Sequence, residues 1–250
     1  KVMSAIKQGY KQTKVGIIPQ DWEVVKLGKI GDLIGGGTPS TKNEEFWNGN
    51  IPWISSSDLN ENNIYDISIS RFINEQAIKN SATKLIPNKS ILIVSRVGVG
   101  KIAINNKPLC TSQDFQSLIL KKDNHIFLAY KIKNEIQKLI ACNQGTSIKG
   151  FVKEDLSNLQ IPLPPLKEQE KIAEILTTWD EAITKQTELL EAKELQKKAL
   201  MQKLLSGEVR FSGFSDEWEE VRIDKLFDFK KGQELSKEKL EKNGIFECIL

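Results

Sequence analysis

Ile161-Pro-Leu-Pro-Pro165 leads directly into Leu166-Lys-Glu-Gln-Glu-Lys-Ile-Ala-Glu-Ile-Leu176, and no further proline or glycine occurs before Ser206-Gly207. Proline is favoured just before a helix or at its first position, where its missing N–H has no intrahelical partner anyway. Glycine readily adopts the left-handed conformation that ends a helix. These marks predict one helix of about 40 residues, which at 1.5 Å per residue is about 60 Å long. That length is typical of a spacer or a coiled-coil arm.

The apolar residues of this predicted helix recur at spacings of four and three. Such a narrow stripe between charged positions is typical of a helix that packs on one or two partner helices. The alternative is a helix that lies across its own domain, but its length exceeds the diameter of a domain built from the preceding residues. The predicted helix–partner interface consists of Ile172, Leu176, Trp179, Ile183, Leu190, Leu200 and Leu204.

An internal repeat flanks the helix. The segment that begins Trp22-Glu-Val-Val-Lys26 aligns with the one that begins Trp218-Glu-Glu-Val-Arg222 at a constant offset of 196, with six of fifteen residues identical. A period near 200 is too long for a solenoid. It predicts a duplicated unit made of a domain and a helix, of which the second copy spans only some thirty residues here.

Four more motifs follow the first copy of the repeat in a fixed order. They are Gly35-Gly-Gly-Thr-Pro-Ser40, Ile51-Pro-Trp-Ile-Ser-Ser-Ser-Asp58, Gly145-Thr-Ser-Ile-Lys-Gly150 and Ile161-Pro-Leu-Pro-Pro-Leu-Lys-Glu-Gln169. The whole order resembles the specificity (S) subunit of type I restriction-modification systems. A full S subunit has two target recognition domains and two helices, so this chain departs from the family in length.

The resemblance and the patterns together predict an α+β fold. A lead-in at residues 1–14 precedes a mixed α/β target recognition domain at 15–165. One coiled-coil-type helix at 166–206 and the truncated start of a second recognition domain at 207–250 follow. Short β-branched runs between turn residues predict the strands of the first domain, and apolar periodicity predicts two helices. The strands are expected at 51–54, 64–69, 91–94, 102–104 and 116–120, and the helices at 74–80 and 126–140.

Composition and charge are compatible with DNA binding. The 250 residues are 39% hydrophobic and 28% charged, without an apolar run long enough for a membrane span. Residues 1–166 carry 21 lysines and arginines against 14 acidic residues, so the positive excess lies in the first domain. Three cysteines without paired spacing, Cys110, Cys142 and Cys248, fit reduced thiols in the cytoplasm.

The segments that resemble catalytic motifs lack residues that those motifs require. The segment Ser95-Arg-Val-Gly-Val-Gly-Lys-Ile102 differs from a P-loop, because Ser95 replaces the first glycine and Ile102 replaces the magnesium-binding Ser or Thr. A tight turn between strands is predicted instead. The single histidine, His125, is predicted to be exposed in a polar turn, and it supports neither a zinc site nor a Ser-His pair. The sequence therefore predicts a non-catalytic chain.

The resemblance implies that the chain reads one half of a bipartite double-stranded DNA target. Its helix would dock methyltransferase (M) subunits, restriction (R) subunits would join the assembly, and S-adenosylmethionine, ATP and magnesium would bind only to those partners. Arginine, glutamine and lysine suit contacts to base edges and phosphates. The candidates are Arg71, Arg96, Gln113 and Gln116 for bases, with Lys42, Lys101 and Lys149 for phosphates.

The single helix also predicts a homodimer. Two copies that pair their helices antiparallel would rebuild the two-helix spacer and read a palindromic, interrupted target. Two other interpretations remain open at this point. One is a coiled-coil scaffold without DNA binding, with Trp47 and Trp53 on its binding face. The other is the recognition part of a fused type IIG-like restriction-methylation enzyme.

Overall fold

The computed structural model describes residues 7–142 and 150–232. The chain divides into two compact units, Lys1–Gln186 and Thr187–Leu250. Among the described residues, no helix combines the length and the apolar character that a membrane span needs.

The first unit combines twelve short strands with four short or medium helices and the start of a long one. The strands are β1 (Tyr10–Thr13), β2 (Gly16–Pro19), β3 (Glu23–Lys26), β4 (Gly31–Gly35), β5 (Ile51–Ile54), β6 (Arg71–Ile73), β7 (Leu85–Ile86), β8 (Ile91–Val94), β9 (Ile102–Ile104), β10 (Leu109–Thr111), β11 (Phe115–Leu120) and β12 (Gln160–Leu163). The helices are α1 (Leu27–Ile30), α2 (Glu75–Lys79), α3 (His125–Cys142), α4 (Lys153–Asn158) and α5 (Leu166–Leu205). Three short 3₁₀ helices cover Glu44–Trp47, Ser56–Asp58 and Ile223–Lys225.

Two four-stranded sheets form the recognition domain. One has the order β6-β5-β10-β7, in which β5 and β10 are parallel and the other pairs antiparallel. The other has the antiparallel order β4-β11-β8-β9. Two antiparallel pairs, β1-β2 and β12-β3, complete the pattern, and the second pair joins the two ends of the domain.

Strand β8 lies at the centre of the core and is buried along its whole length. Its residues Ile91 and Ile93 join a cluster that includes the inner face of α3, whereas Leu92 and Val94 join a second cluster with Phe115. A strand covered on both faces is expected to be a continuous apolar run, because neither face can be polar. This arrangement explains the sequence Ile91-Leu-Ile-Val94.

Helix α5 is attached to the recognition domain by one buried amide. The Gln169 side chain is 1% exposed. Its Nε2 donates to Asp123 Oδ1 at 3.0 Å and to the Pro164 carbonyl at 2.9 Å, and its Oε1 accepts from Asn124 N at 3.0 Å. Nearby, Trp22 Nε1 donates to Glu168 Oε2 at 3.0 Å. The first turn of α5 is thereby tied to β3, to β12 and to the start of α3.

Most predicted elements are confirmed. The long helix ends one residue before the predicted limit, and the α+β class with a partial second domain is confirmed. The helices predicted at 74–80 and 126–140 are α2, with Asn74 and Asn80 as caps, and α3. The domain boundaries remain a prediction.

The strand predicted at residues 64–69 is wrong. The segment forms one isolated bridge, between Ile67 and Leu59. Its isoleucines are used for packing instead, because Ile64 enters the cluster under α3 while Ile67 and Ile69 pack on the Phe115 cluster. The alternation of apolar residues at 64–69 therefore arises because their side chains are buried in two different clusters. It does not arise from pairing with a neighbouring strand.

The second unit carries many exposed apolar side chains. After α5 ends, the chain from Glu208 to Gly232 contains one 3₁₀ turn, Ile223–Lys225. Phe211, Phe214 and Phe227 on this segment are 71%, 66% and 64% exposed. The segment has no core of its own among the described residues.

Replacing Gln169 with leucine tests the attachment of α5. The change removes three hydrogen bonds and leaves the half-buried Asn124 N–H and Asp123 Oδ1 and the Pro164 carbonyl without their partner. Because an unsatisfied buried group costs about 1–3 kcal/mol, we expect the free energy of unfolding to fall by about 3 kcal/mol. Urea unfolding followed by circular dichroism measures this change. The control is Gln20→Leu at an exposed position, and equal losses in both variants would contradict the assignment.

Candidate nucleic-acid interface

A short turn at residues 55–58 lies at the centre of the candidate interface. It follows β5 directly and closes on itself, since Asp58 Oδ2 accepts from Ser55 N at 2.7 Å and from Ser55 Oγ at 3.1 Å. Arg71 on the neighbouring strand β6 adds a third donor, because its Nη2 forms an ion pair with the same carboxylate oxygen and donates to Ser55 Oγ at 2.7 Å. The carboxylate thus fixes the direction of the guanidinium.

The Arg71 guanidinium also stacks on an indole ring. It lies 4.6 Å from the ring centroid of Trp53, the residue directly opposite it in the β5–β6 register. Trp53 is 4% exposed and belongs to the core, so only a small part of its ring reaches the surface, and its Nε1 donates to the Gly37 carbonyl at 3.0 Å. Stacking and ion pairing together hold Arg71 in one orientation.

A second tryptophan packs against the first. The rings of Trp47 and Trp53 meet edge to face with centroids 5.1 Å apart. Trp47 ends the 3₁₀ helix Glu44–Trp47, whose cap Asn43 accepts from Glu45 N at 3.1 Å. Asn74 fastens this helix to β6, because its Nδ2 donates to the Glu45 carbonyl at 2.7 Å and its N to the Phe46 carbonyl at 3.1 Å.

The glycine triplet before this helix is a packing device. A Cβ on Gly36 would lie 2.1 Å from the Ser112 carbonyl oxygen. On Gly37 it would lie 2.5 Å from the backbone of Ala82 and Thr83. Only glycine allows these approaches, and they place the Gly37 carbonyl at the Trp53 indole.

These residues enclose an open cleft of about 390 Å³. Its walls are two indoles and one guanidinium, and its rim has two hydroxyls and one carboxylate. The lining residues are Thr38, Thr41, Glu44, Trp47, Trp53 and Arg71. The cleft therefore combines aromatic surface with both a hydrogen-bond donor and an acceptor.

The loop predicted at residues 95–101 lies beside the same turn. Lys101 Nζ donates to the carbonyls of Ser56 at 3.4 Å and Leu59 at 3.2 Å. Gly98 and Gly100 have φ angles of 81° and 93°, which glycine adopts without strain. The segment connects the antiparallel strands β8 and β9, so the expected turn is confirmed.

A third loop completes the surface. Ser95 binds the Asp114 carbonyl through both its N, at 2.7 Å, and its Oγ, at 3.0 Å. In the same loop, Gln113 Oε1 accepts from Thr38 Oγ1 on the rim of the cleft. Hydrogen bonds thus link strand β6, which carries Arg71, with the loops that carry the candidates Lys42, Arg96, Lys101 and Gln113.

Lys42 and Arg96 are exposed on this surface, and the last two candidates lie apart from it or outside the described residues. Gln116 lies within β11, between Gly35 and Ile93, and its Oε1 is buried without a partner among the described residues. Lys149, together with most of the motif at 145–150, lies outside the described residues.

Residues with catalytic potential are not assembled on this surface. Burial raises the pKa of the Cys110 thiol to about 11, so this side chain is a poor nucleophile at neutral pH. The predicted exposure of His125 is wrong, because the residue is half-buried at the start of α3, and this burial lowers its pKa. Over residues 7–142 and 150–232, no group of three metal-binding side chains occurs.

Sequence reasoning missed the residues that orient the candidates. Ser55 and Asp58 stand in the motif Ile51-Pro-Trp-Ile-Ser-Ser-Ser-Asp58, but nothing local shows that Arg71 closes on them. Glu44 and Trp47 were likewise absent from the candidates for DNA contact. The one available signal was the helix-capping pattern Asn43-Glu-Glu45, which fixes this loop.

Comparison with known proteins places the chain in a family. Residues 19–194 match the family described as the type I restriction modification DNA specificity domain. The MjaIX specificity subunit of a type I restriction enzyme from Methanocaldococcus jannaschii is 38% identical over 189 residues, which are 73% of this chain and 44% of that protein. The EcoR124I/EcoR124II specificity subunit from Escherichia coli is 35% identical over 168 residues, 64% of this chain and 41% of that protein.

Solved structures share the fold. The HsdS subunit from Thermoanaerobacter tengcongensis matches with a TM-score of 0.56 at 22% identity, over 80% of this chain and 48% of that one. The type I system S subunit from M. genitalium matches with a TM-score of 0.52 at 19% identity, over 74% of this chain and 46% of that one. The chain spans about half the length of the curated relatives it matches. On this sequence match, the chain belongs to the type I restriction modification DNA specificity domain family.

Proposed function

We propose that this chain is a non-catalytic DNA reader that recognises one half of a bipartite double-stranded target through its first domain. The observation that carries the proposal is the oriented guanidinium of Arg71 on a surface where strand β6 and the neighbouring loops bring together five side chains suited to DNA. Family membership supports the same role. The expected environment is the cytoplasm, where the DNA lies.

Arg71 has the properties of a base-reading arginine. Only its Nη2 is engaged by Ser55 and Asp58, and no described residue accepts from its Nε or Nη1. The Arg71 side chain is 39% exposed. Arginine is the favoured donor to O6 and N7 of guanine, and a guanidinium that is already oriented loses less side-chain entropy on binding.

The lysines and the second arginine have a different task in this proposal. Lys42 and Arg96 are exposed, so their charges can neutralise phosphates and release counterions. The Lys101 ammonium donates to two backbone carbonyls, so we propose that this residue stabilises the turn at residues 55–58. We propose that Gln113 reads bases beside Thr38.

Partner docking is assigned to helix α5. In the first unit, Trp179 is 67% exposed, and in the second unit, Leu190 and Leu200 are 60% and 51% exposed. Burying such a side chain is worth about 1.5–3 kcal/mol, so the stripe favours a helical partner. We propose methyltransferase subunits or a second copy of the chain in this place, with restriction subunits added to the assembly. S-adenosylmethionine, ATP and magnesium would bind to those partners.

Replacing Arg71 with lysine tests base reading. Lysine keeps the charge beside Asp58 but lacks the planar fork, so one base contact worth about 1–3 kcal/mol is lost. We expect selection from a randomised duplex library at low salt to yield a consensus relaxed at one position. Fluorescence anisotropy should show about tenfold weaker binding to the wild-type consensus.

The matched control is Arg222→Lys, which changes an exposed arginine paired with Asp224 in the second unit. This variant should keep both affinity and consensus. An Arg71→Lys variant with unchanged affinity and consensus would remove Arg71 from the reading surface. Absence of salt-dependent duplex binding by the wild-type chain would overturn the proposed function itself.

A charge in the apolar stripe tests the homodimer. We expect the wild-type chain to have the mass of a dimer in light scattering at micromolar concentration, and Leu190→Glu to shift it to a monomer. The control Ala192→Glu adds the same charge at an exposed position outside the stripe. A wild-type monomer, or a dimer that persists in Leu190→Glu, would show that the stripe serves another partner.

A further inference from the structure

We propose that Val97 contacts the C5-methyl group of a thymine and thereby selects this base at one position of the target. The proposal rests on the DNA-reading function above and extends it, because it assigns a specificity-determining residue whose contact is apolar. It is carried by the exposure of the side chain, by the fixed loop that holds it and by the position of that loop beside Arg71.

Val97 is the most exposed large apolar residue before α5 in the part of the chain that the structure describes. It is 70% exposed, against 61% for Val152 and 54% for Ile17. A single apolar residue on a surface needs no explanation by itself. Val97, however, stands at the tip of the loop between β8 and β9, flanked by the exposed residues Arg96 and Gly98. Its isopropyl group is therefore accessible to a ligand.

The loop between β8 and β9 is fixed at both ends. At its start, the Ser95 carbonyl accepts from Phe151 N at 2.8 Å, and Ser95 N donates to the Asp114 carbonyl at 2.7 Å. At its end, Val94 N donates to the Lys101 carbonyl at 2.9 Å. The valine side chain is itself stiff, because its branched Cβ restricts χ1. Its methyl groups are thus held in place before DNA binds.

The loop lies against the turn that orients Arg71. A Cβ on Gly98, next to Val97, would lie 3.9 Å from the Ser56 Cβ. Lys101 Nζ donates to the Ser56 carbonyl at 3.4 Å. The neighbouring hydroxyl of the same turn accepts from Arg71 Nη2 at 2.7 Å. Val97 therefore belongs to the surface on which we place the guanine-reading arginine.

An isopropyl group distinguishes bases by an apolar contact. It neither donates nor accepts a hydrogen bond, so covering a polar base edge with it would leave that edge unsatisfied. On the base edges of the major groove in an unmodified duplex, the apolar group is the C5-methyl of thymine, and apolar side chains contact it there. Among the four bases, thymine is therefore the one that Val97 matches.

Duplexes in which deoxyuridine replaces thymine test the proposal, because uracil pairs as thymine does and lacks only the methyl group. The full chain first selects a consensus from a randomised duplex library at low salt, and each thymine of that consensus is then replaced in turn. In fluorescence anisotropy, we expect one replacement to weaken binding by the wild-type chain about fourfold, the effect of losing one buried methyl group.

Variants at Val97 show whether the lost contact belongs to this side chain. Val97→Ala should bind the consensus about fourfold more weakly than the wild-type chain, and it should no longer distinguish thymine from deoxyuridine at that position. Val97→Ile keeps an apolar contact and should retain the distinction. The matched control Val209→Ala, at an exposed valine in the second unit, should behave as the wild-type chain does. Thermal unfolding checks that each variant is folded.

A consensus without thymine, or equal binding of every substituted duplex by the wild-type chain, would overturn the proposal and leave DNA reading intact. A methyl effect that persists in Val97→Ala would do the same, since another residue would then contact the methyl group. Equal weakening of Val97→Ala on thymine and deoxyuridine would also overturn it, because Val97 would then act on the loop and not on the base. If the wild-type chain binds no duplex at low salt, this proposal and the proposed function both fall.

Discussion

The side-chain amide of Gln169 is the point at which the recognition domain and the start of its long helix become one structure. It bonds to the residues just before α5, through Pro164, and to the residues just before α3, through Asp123 and Asn124. Buried amides are stable only when their polar atoms are satisfied, so the geometry admits little variation. The direction in which α5 leaves the domain follows from this constraint.

The same domain end is closed by strand pairing. Strand β12, which precedes α5, pairs with β3 near the start of the domain, and Leu27 N donates to the Leu159 carbonyl just beyond the pair. The candidate surface is formed instead by loops between the strands, at residues 38–47, 55–58, 95–101 and 112–114. Loops on a rigid scaffold are the usual place for recognition residues. The oriented Arg71 is an example, because both of its constraints come from the scaffold strands β5 and β6 and the turn after β5.

Local sequence signals made much of this fold predictable. The features that depend on pairing between distant parts of the chain could not be predicted. Proline and glycine marked α5 almost to the residue, and the run Ile91-Leu-Ile-Val94 marked the central strand. Residues 64–69 have an equally strong pattern, yet their isoleucines pack into two clusters without a ladder. Arg71 and Gln113 were chosen as candidates by residue type, and their contacts to DNA stay predictions. The geometry around them was not predictable, because the Asp58–Arg71 pair and the approach of Gly36 to Ser112 depend on strand order.

The internal repeat shows the same division between local and long-range information. Leu27–Ile30 forms α1 in the first copy, and the aligned residues Ile223–Lys225 form a 3₁₀ turn in the second, so this helical turn is encoded locally. Residues 23–26 form strand β3, whereas 219–222 form no strand. A strand needs a partner, and β3 has one in β12. Leu27 is fully buried, whereas the aligned Ile223 is 62% exposed. The second copy thus forms the helical turn that its own residues specify. In the part of the chain that the structure describes, it lacks the strand pairing and the burial that a partner strand must supply.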